Sequence, residues 1–285
     1  PVVEHRGRIL ALHQADWVAG KLSGRFGFSD MNNALKLGYD AVNERWPDWF
    51  EQLPLDESWL PTVLPVGSVI GPVRPELAKR FGLDADTLVF AGTTDSTASV
   101  MATGARNPGD AVTVLGSTMV FKVVTTRPVS DSASGIYSHR FGDSWLAGGA
   151  SNSGGAVLLS HFAPGQLNSL EAKIEPDKAT GLDYYPLLRP GERFPFNDPS
   201  MPPRLQPRPA SDAKFLQGML EGMAAIEAAA YRRLAEHGCP RPTRILTVGG
   251  GSGNDAWQSI RGGALGIRVS RARHQEAAYG TALIA

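Results

Sequence analysis

Apolar residues along this chain recur in runs that alternate between helical and strand spacing. Residues 8–24 carry apolar positions at helical spacing and close on a glycine, so they predict an amphipathic helix. Residues 29–53 predict at least one more helix, whereas the prolines within 60–71 predict a loop or a short strand. A further short helix is predicted to begin at Pro75 and to end at Gly82, because proline favours the first turn of a helix and glycine its end.

From residue 87 onward the pattern changes to β-branched runs separated by glycine turns. Residues 87–105 predict a strand, a glycine turn and then a helix. Residues 110–128 predict two strands joined through Gly116, Ser117 and Thr118, which is the form of a hairpin.

The remainder continues the alternation of strands and helices. A strand pair is predicted within 136–150 and a helix from 151, followed by irregular structure over the proline-rich residues 183–209. Residues 214–238 give the strongest helix pattern of the chain, and a strand running into a glycine turn follows over 244–253. A helix, a short strand and a last helix complete the sequence. This alternation, with glycines at the strand ends, predicts an α/β fold whose ligand lies at those ends.

Composition and charge narrow the class of protein. Lys and Arg together number 28 and so do Asp and Glu, so the net charge does not attract a polyanion, and we expect no nucleic-acid partner. The single cysteine, Cys239, excludes an internal disulfide framework, which is typical of a reducing compartment. No membrane span or signal peptide is apparent, so we expect a cytoplasmic protein without a membrane partner.

Asp95 is the first candidate for chemistry, because it follows an apolar strand within a turn of small residues. A carboxylate in this position can accept the proton of a substrate hydroxyl as that hydroxyl attacks a phosphorus atom. An aspartate followed by Ser, Thr and Ala also suits the N-cap of a helix, and position alone favours this structural alternative.

The glycine clusters suggest phosphate binding, because consecutive backbone N–H groups in a glycine turn can donate to an anion. The phosphate-binding loop that ends in Gly-Lys-Ser/Thr is absent. The stretch Gly251–Ala256 matches the dinucleotide pattern weakly. We expect no dinucleotide domain there, since the residues that follow are too few for its strand-helix-strand crossovers.

Other polar residues carry weaker signals. The histidines His13, His139, His161 and His274 lack the spacing of metal ligands, and no metal-ligating residue is assigned. Asp16 and Asp30 could face a substrate, although a solvated helix face is the favoured interpretation. Cys239 has no neighbour in the sequence that would mark it as a nucleophile.

Taken in order, these segments resemble the FGGY carbohydrate kinases of the actin, hexokinase and heat-shock ATPase superfamily. The matching segments are HQADWVAGKLSG, SDMNNALKLGYD, AGTTDSTASVMATGA, LGSTMVF, GGASNSGGAVL, EGMAAIEAAAYRRL, VGGGSGNDAWQ and EAAYGTALIA. They cover the chain from about residue 8 onward. Within the family, NNALKLGYD and GGASNSGG are most similar to the pentulose kinases of the ribulokinase and xylulokinase type.

The resemblance implies a role for several residues. Asp95 falls on the catalytic base of the family, which outweighs the N-cap alternative. Cofactor-binding positions fall on the hairpin turn, on a second glycine turn and on the adenosine turn; they are Gly116, Ser117, Thr118, Gly154, Gly155, Gly250, Gly251 and Asn254.

The resemblance also implies a fold and an activity. The expected fold is α/β and ribonuclease H-like, with residues 1–105 as the remainder of an incomplete sugar-side domain and 106–285 as the nucleotide-binding domain. The expected activity is phosphorylation of a sugar hydroxyl, such as that of the ketopentose D-ribulose, by ATP with Mg²⁺. A homodimer is also expected.

One feature of the family is missing from these residues. Family members begin with an Asp-x-Gly-Thr turn that holds magnesium and phosphate, and no such motif occurs here. We therefore expect a fragment or truncated form that is inactive by itself. Two alternatives stay open: a nucleotide-binding or assembly protein of the same fold without kinase activity, and a dinucleotide-dependent oxidoreductase.

Overall fold

The structure, a computed structural model, describes residues 2–5 and 8–285, which form two compact units. The first unit contains the residues up to Ala102 together with Glu276–Ala285, and the second unit is Thr103–Gln275. The domain boundary after residue 105 stays a prediction about the family's domains.

The first unit consists of short strands and helices. Its strands are β1 (Val2–His5), β2 (Arg8–Ala11), β3 (Phe28–Asp30), β4 (Thr62–Leu64), β5 (Val69–Pro72) and β6 (Leu88–Phe90). Its helices before residue 103 are α1 (Gln14–Ser23), α2 (Met31–Ala34), α3 (Pro75–Phe81) and α4 (Asp95–Ala102). The strands pair two by two: β1 with β2 and β5 with β6 antiparallel, and β3 with β4 parallel.

The helix predictions for this unit are confirmed, except over the first residues of the predicted 8–24 helix. Helix α1 ends at Gly24, which has a left-handed φ of 74°, and α3 begins and ends as predicted. The first residues of the predicted 8–24 helix instead form β2, because they pair with β1, a partner that helical spacing does not reveal. Residues 29–53 contain the further helix predicted there, α2, which has only four residues, and they also contain two short 3₁₀ turns.

The second unit contains one six-stranded sheet. Its strands are β7 (Asp110–Leu115), β8 (Met119–Thr125), β9 (Tyr137–Phe141), β10 (Ser144–Ala150), β11 (Arg244–Val248) and β12 (Val269–Arg271). Its helices are α5 (Gly155–His161), α6 (Pro164–Glu171), α7 (Asp212–Glu236) and α8 (Asp255–Leu265). The last helix, α9 (Ala277–Ala282), belongs to the first unit and packs on α4, where a Cβ at Gly280 would collide with the carbonyl oxygen of Ala98.

The direction of the strands brings three turns to one edge of this sheet. The strand order is β12-β11-β7-β8-β10-β9, with β12, β11 and β7 parallel to one another. Strand β8 is antiparallel to both β7 and β10, so β10 runs in the same direction as β7. The turns that follow β7, β10 and β11 therefore lie at the same edge, as expected for a ligand site at strand ends.

Helix α7 covers one face of the sheet and supplies much of the core. Its Met219, Leu220 and Met223 are fully buried, as is Phe121 of β8. Burying each such side chain stabilises the fold by about 1.5–3 kcal/mol. At Gly222 a Cβ would lie 2.5 Å from the carbonyl oxygen of Tyr184, so glycine lets the irregular proline-rich segment approach the helix.

A buried ion pair joins α7 to α8 beneath the sheet edge. The guanidinium of Arg261 donates to both carboxylate oxygens of Glu227 at 2.5 and 2.7 Å, and it also donates to Thr247 Oγ1 of β11 at 2.8 Å. Each side chain of the pair is only 1% exposed. Removing one partner of such a pair costs about 3–5 kcal/mol, because the other charge stays buried without compensation. The pair therefore fixes the position of α8 against β11 and α7.

No helix among residues 2–5 and 8–285 combines the length and the apolar character needed to cross a membrane.

Candidate functional site

A cleft of about 540 Å³ opens at the sheet edge where the three turns meet. Of the cofactor-binding positions expected from the sequence, those that line it are Gly116, Ser117, Gly155, Gly250, Gly251 and Asn254. The two others, Thr118 and Gly154, lie directly beside lining residues in the same turns. The structure thus brings together three turns that are far apart in the sequence, all within the second unit.

Hydrogen bonds join the hairpin turn to the turn after β10. The N–H of Gly155 donates to the carbonyl oxygen of Gly116 at 2.9 Å, and the N–H of Ala156 donates to that of Ser117 at 3.1 Å. A Cβ at Gly154 would lie 2.7 Å from the Cα of Thr118, so only glycine permits this approach. The two turns consequently form one continuous wall of the cleft.

Four backbone N–H groups at this edge have no partner among the described residues. They belong to Ser117 and Thr118 in the hairpin turn, and to Gly250 and Gly251 in the turn after β11. Unpaired amides in such turns are ready donors to the oxygens of a phosphate. The backbone therefore offers an anion-binding edge without any cationic side chain.

The three glycines after β11 have different functions in the turn. Gly249 has a left-handed φ of 91°, and a Cβ there would lie 2.7 Å from the carbonyl oxygen of Leu115. A Cβ at Gly251 would lie 2.7 Å from the indole of Trp257. Gly250, in contrast, has no atom within 4 Å of where its Cβ would stand, and it lines the cleft. Gly249 and Gly251 thus serve packing, while Gly250 leaves open space for a ligand.

Two polar side chains meet at the start of α8. Asn254 is the N-cap of α8, since its Oδ1 accepts from the N–H of Trp257 at 2.6 Å. Its side-chain NH₂ can therefore donate to another partner. The Glu171 carboxyl lines the cleft close to Asp255, and burial raises the pKa of this carboxyl. A partly desolvated carboxylate in a cleft can accept hydrogen bonds from hydroxyl or amino groups of a ligand.

Sequence analysis missed the helix that carries Glu171. Helix α6 begins at Pro164, and its Leu167, Asn168 and Glu171 line the cleft. The signal was present, because proline at the first helical position is followed by leucines at 167 and 170. The other wall is apolar and comes from Leu158, Leu159, Leu216 and Trp257. A cleft with one apolar wall and one polar, amide-lined edge suits a molecule with a flat apolar group and an anionic group.

One strand-helix-strand crossover contains the glycine turn at Gly251. Strand β11, helix α8 and strand β12 form it, with the two strands parallel and adjacent, and its first strand lies before Gly251. The eleven residues of α8 suffice to cross between these neighbouring strands. No second crossover follows β12 in the second unit, which ends at Gln275.

Asp95 lies in the first unit, at the first residue of α4, and is exposed. Its Oδ1 accepts from the N–H of the next residue, Ser96, at 2.6 Å. The capping position belongs instead to Thr94, whose Oγ1 accepts from the N–H of Thr97 at 3.4 Å. The hydroxyl groups of Thr94 and Thr97 are also hydrogen-bonded to each other at 2.9 Å. The N-cap alternative for Asp95 is therefore wrong, and its carboxylate faces solvent.

Asp16 and Asp30 do not lie on a solvated face, so that interpretation was wrong. They are 6% and 3% exposed. Asp30 is the N-cap of α2 and accepts from the N–H groups of Asn32 and Asn33. Asn32 in turn donates to Thr93 Oγ1 at 2.8 Å, which connects α2 to the turn that carries Asp95. Burial raises the pKa of Asp16 to about 6.

The remaining candidates gather into no further site. Within the described ranges, no group of three or more His, Cys, Asp or Glu side chains could hold a metal ion. Cys239 is a buried free thiol, and burial raises its pKa to about 11.

Comparison with curated proteins finds sugar kinases at low identity. The chain is 24% identical over 221 residues to a gluconokinase from Bacillus licheniformis, which covers 70% of this chain and 43% of that protein. It is 25% identical over 286 residues to a xylulose kinase from Bacillus subtilis, covering 95% of this chain and 56% of that protein. The chain thus spans about half the length of these relatives.

Solved structures agree in fold. A structure described as a xyloylose kinase from Brucella ovis superposes with a TM-score of 0.86 at 25% identity, over 97% of this chain and 59% of that one. A Plasmodium falciparum glycerol kinase with ADP has a TM-score of 0.82 at 15% identity, over 98% and 58% of the two chains. The actin- and hexokinase-like fold is therefore confirmed.

A match to a family domain covers more than half of the chain. The C-terminal domain of the FGGY family of carbohydrate kinases matches residues 111–285. This range includes the residues that line the cleft and the whole six-stranded sheet except Asp110, the first residue of β7. The chain belongs to the FGGY family of carbohydrate kinases.

Proposed function

We propose that this chain provides two parts of an ATP-dependent sugar kinase: the part that binds the nucleotide and the part that carries the catalytic base, Asp95. The observation that carries the proposal is the set of four unpaired amides, from Ser117, Thr118, Gly250 and Gly251, at the edge of a cleft with an apolar far wall. Phosphates suit the amides and a flat base suits the apolar wall. Family membership supports the same activity.

In the proposed reaction, the sugar hydroxyl oxygen bonds to the γ-phosphorus of ATP, the bond from that phosphorus to the bridging oxygen breaks, and ADP leaves; Mg²⁺ would neutralise charge on the phosphates. The turn amides hold the phosphates and stabilise negative charge as it develops, which is the largest contribution that a protein makes to phosphoryl transfer. Asp95 accepts the proton of the attacking sugar hydroxyl. Its exposure leaves the carboxylate able to reach a substrate. We assign no protein ligand to Mg²⁺.

We further propose a ketopentose such as D-ribulose as the acceptor. The segments NNALKLGYD and GGASNSGG support this choice. Two relatives have names that refer to ketopentoses, xylulose kinase and ribulokinase. Others are described as gluconokinase and L-fuculokinase. The alternative is a nucleotide-binding protein of this fold without kinase activity.

Nucleotide binding by this chain can be tested at Gly250. A valine there would extend into open cleft space, so Gly250→Val should leave the fold intact but occupy the volume that the nucleotide needs. We expect the unmodified chain to bind ADP and ATP, but not NAD, in calorimetric titration, and the variant to lose at least about tenfold in affinity, or about 1.4 kcal/mol.

Gly263→Val is the matched control, because Gly263 also has no atom within 4 Å of its Cβ position but does not line the cleft. It should bind nucleotide as the parent does. Equal binding by the Gly250 variant and the parent would contradict the assignment of the cleft. Binding of NAD without ATP would favour the oxidoreductase alternative.

A further inference from the structure

A second cavity lies at the opposite end of β11 from the nucleotide cleft. It has a volume of about 690 Å³, which is within the range of small-molecule sites. The last turns of α7, the segment 239–242 and the end of α8 enclose it. We call it the Cys239 pocket. All its lining residues belong to the second unit, and none of them lines the nucleotide cleft.

The inner surface of the Cys239 pocket is apolar. Tyr231 and Cys239 are 4% and 6% exposed, and Ala264 and Leu265 of α8 complete the wall. The Tyr231 hydroxyl is bonded to Thr113 Oγ1 at 2.8 Å, so its polar atom is already satisfied. Burial raises the pKa of the Cys239 thiol to about 11, so at neutral pH this side chain is an uncharged wall group.

Two cationic side chains also line the pocket. Arg232 and Arg241 are exposed, and neither has a hydrogen-bond or ion-pair partner among the described residues. The one carboxylate lining the pocket, Glu236, is engaged by Arg233 at 3.3 Å. Other arginines of this unit, such as Arg244 and Arg261, are paired with carboxylates. The pocket thus combines an apolar interior with two uncompensated guanidinium groups.

We propose that the Cys239 pocket binds a small phosphate monoester that carries an apolar group. Guanidinium groups pair with phosphate oxygens through parallel N–H donors, and two of them match a dianionic phosphate better than a singly charged carboxylate. The apolar group would lie against Cys239 and Ala264. This site is separate from the nucleotide cleft, and the proposal does not depend on the kinase assignment.

The only cysteine of the chain reports directly on the pocket. The rate at which Cys239 reacts with the uncharged reagent N-ethylmaleimide, measured at pH 8.5, should fall at least fivefold as phenyl phosphate is raised into the millimolar range, and the effect should saturate. Inorganic phosphate and phenol, the two halves of the probe, should protect much less at equal ionic strength. Benzoate should also protect less than phenyl phosphate.

The double variant Arg232→Gln, Arg241→Gln should react at the parent's rate without ligand but lose the protection. Arg189→Gln, which changes an exposed arginine outside the pocket, should keep it. Gly250→Val should also keep it, since that change affects the other cleft. Absence of saturable protection, or equal protection in the double variant, would overturn the proposal. Calorimetric titration with phenyl phosphate provides a second measure: the parent should show one site that the double variant lacks, and no binding by the parent would also overturn it.

Discussion

Thr94 and Asp95 are neighbours in the chain but differ in what their side chains contact. Thr94 is 4% exposed and caps α4, whereas the Asp95 carboxylate is exposed and bonded only to the adjacent backbone N–H. Thr94 therefore has the structural role at the start of α4, and the proposed function gives Asp95 the chemical role. Because the threonine satisfies the helix end, the aspartate can change without removing the cap.

Asp95→Asn should therefore lower turnover without unfolding the protein. In the chain with the family's leading Asp-x-Gly-Thr segment added, we expect kcat to fall about 10²–10⁴-fold, because the amide keeps the shape of the carboxylate but cannot accept the hydroxyl proton. The affinity for ATP should change less than twofold. Steady-state kinetics and calorimetric titration measure the two quantities. Asp86→Asn, at an exposed aspartate of the same unit, should leave both unchanged, and unchanged turnover in Asp95→Asn would contradict the catalytic role.

At the scale of the element, helix termini hold several of the polar groups described above. Asp30 caps α2, Asn254 caps α8, and the Asp16 carboxylate accepts from the N–H of His13 at 2.9 Å at the start of α1. Carboxylates at these ends accept backbone donors that would otherwise be unpaired. Asp16 has this position in a buried environment, where desolvation opposes its charge.

Asp16 gives the free energy of unfolding a distinctive pH dependence. Its pKa is about 6 in the folded chain against an ordinary 3.8, so the unfolded chain releases this proton first as the pH rises. The contribution of the protonated group to stability is complete below about pH 4 and is lost by about pH 6. Asp16→Asn lacks this titration. The stability of the parent relative to the variant should consequently fall between pH 4 and 6.

Urea unfolding followed by tryptophan fluorescence at pH 4, 5, 6 and 7 measures this difference. Asp86→Asn serves as the control, and its stability relative to the parent should lack the same trend. A parent-minus-Asp16→Asn difference that is constant across the four pH values would contradict the raised pKa.

At the scale of the whole molecule, the chain has two compact units and spans about half of its curated relatives. The second unit contains the complete cleft, while Asp95 belongs to the first. Under the proposed function, nucleotide binding and sugar phosphorylation are therefore expected to be separable. Binding should require only the residues of the second unit, whereas phosphorylation should also require a sugar and Mg²⁺ held in position.

Residues 1–285 by themselves should bind ADP but release none from ATP when a sugar is added, because the sequence contains no Asp-x-Gly-Thr turn. When the family's leading segment with its Asp-x-Gly-Thr turn is added, the chain should phosphorylate D-ribulose or xylulose with a kcat/KM at least roughly tenfold above that for gluconate or glycerol. Coupled measurement of ADP release with each sugar tests both statements. Sugar-dependent turnover by the 285 residues would contradict the first, and a preference for glycerol or gluconate would contradict the second.

The sequence by itself determined the order of the main elements and the family. Helix α7, the hairpin of β7 and β8 and the helix ends at Gly24 and Gly82 follow from spacing and from glycine placement, since these signals are local. Periodicity could not find β2, which exists because β1 pairs with it.

Only the tertiary structure decided which groups meet. Parallel and antiparallel pairing bring the turns after β7, β10 and β11 to one edge, and α6 adds Glu171 from a segment that the sequence analysis passed over. Burial, which depends on distant packing, turned Asp16 from a surface carboxylate into one with a pKa of about 6. Tertiary packing also placed Arg232 and Arg241 beside an apolar cavity, with no partner for either side chain among the described residues, and no local pattern in the sequence specifies this.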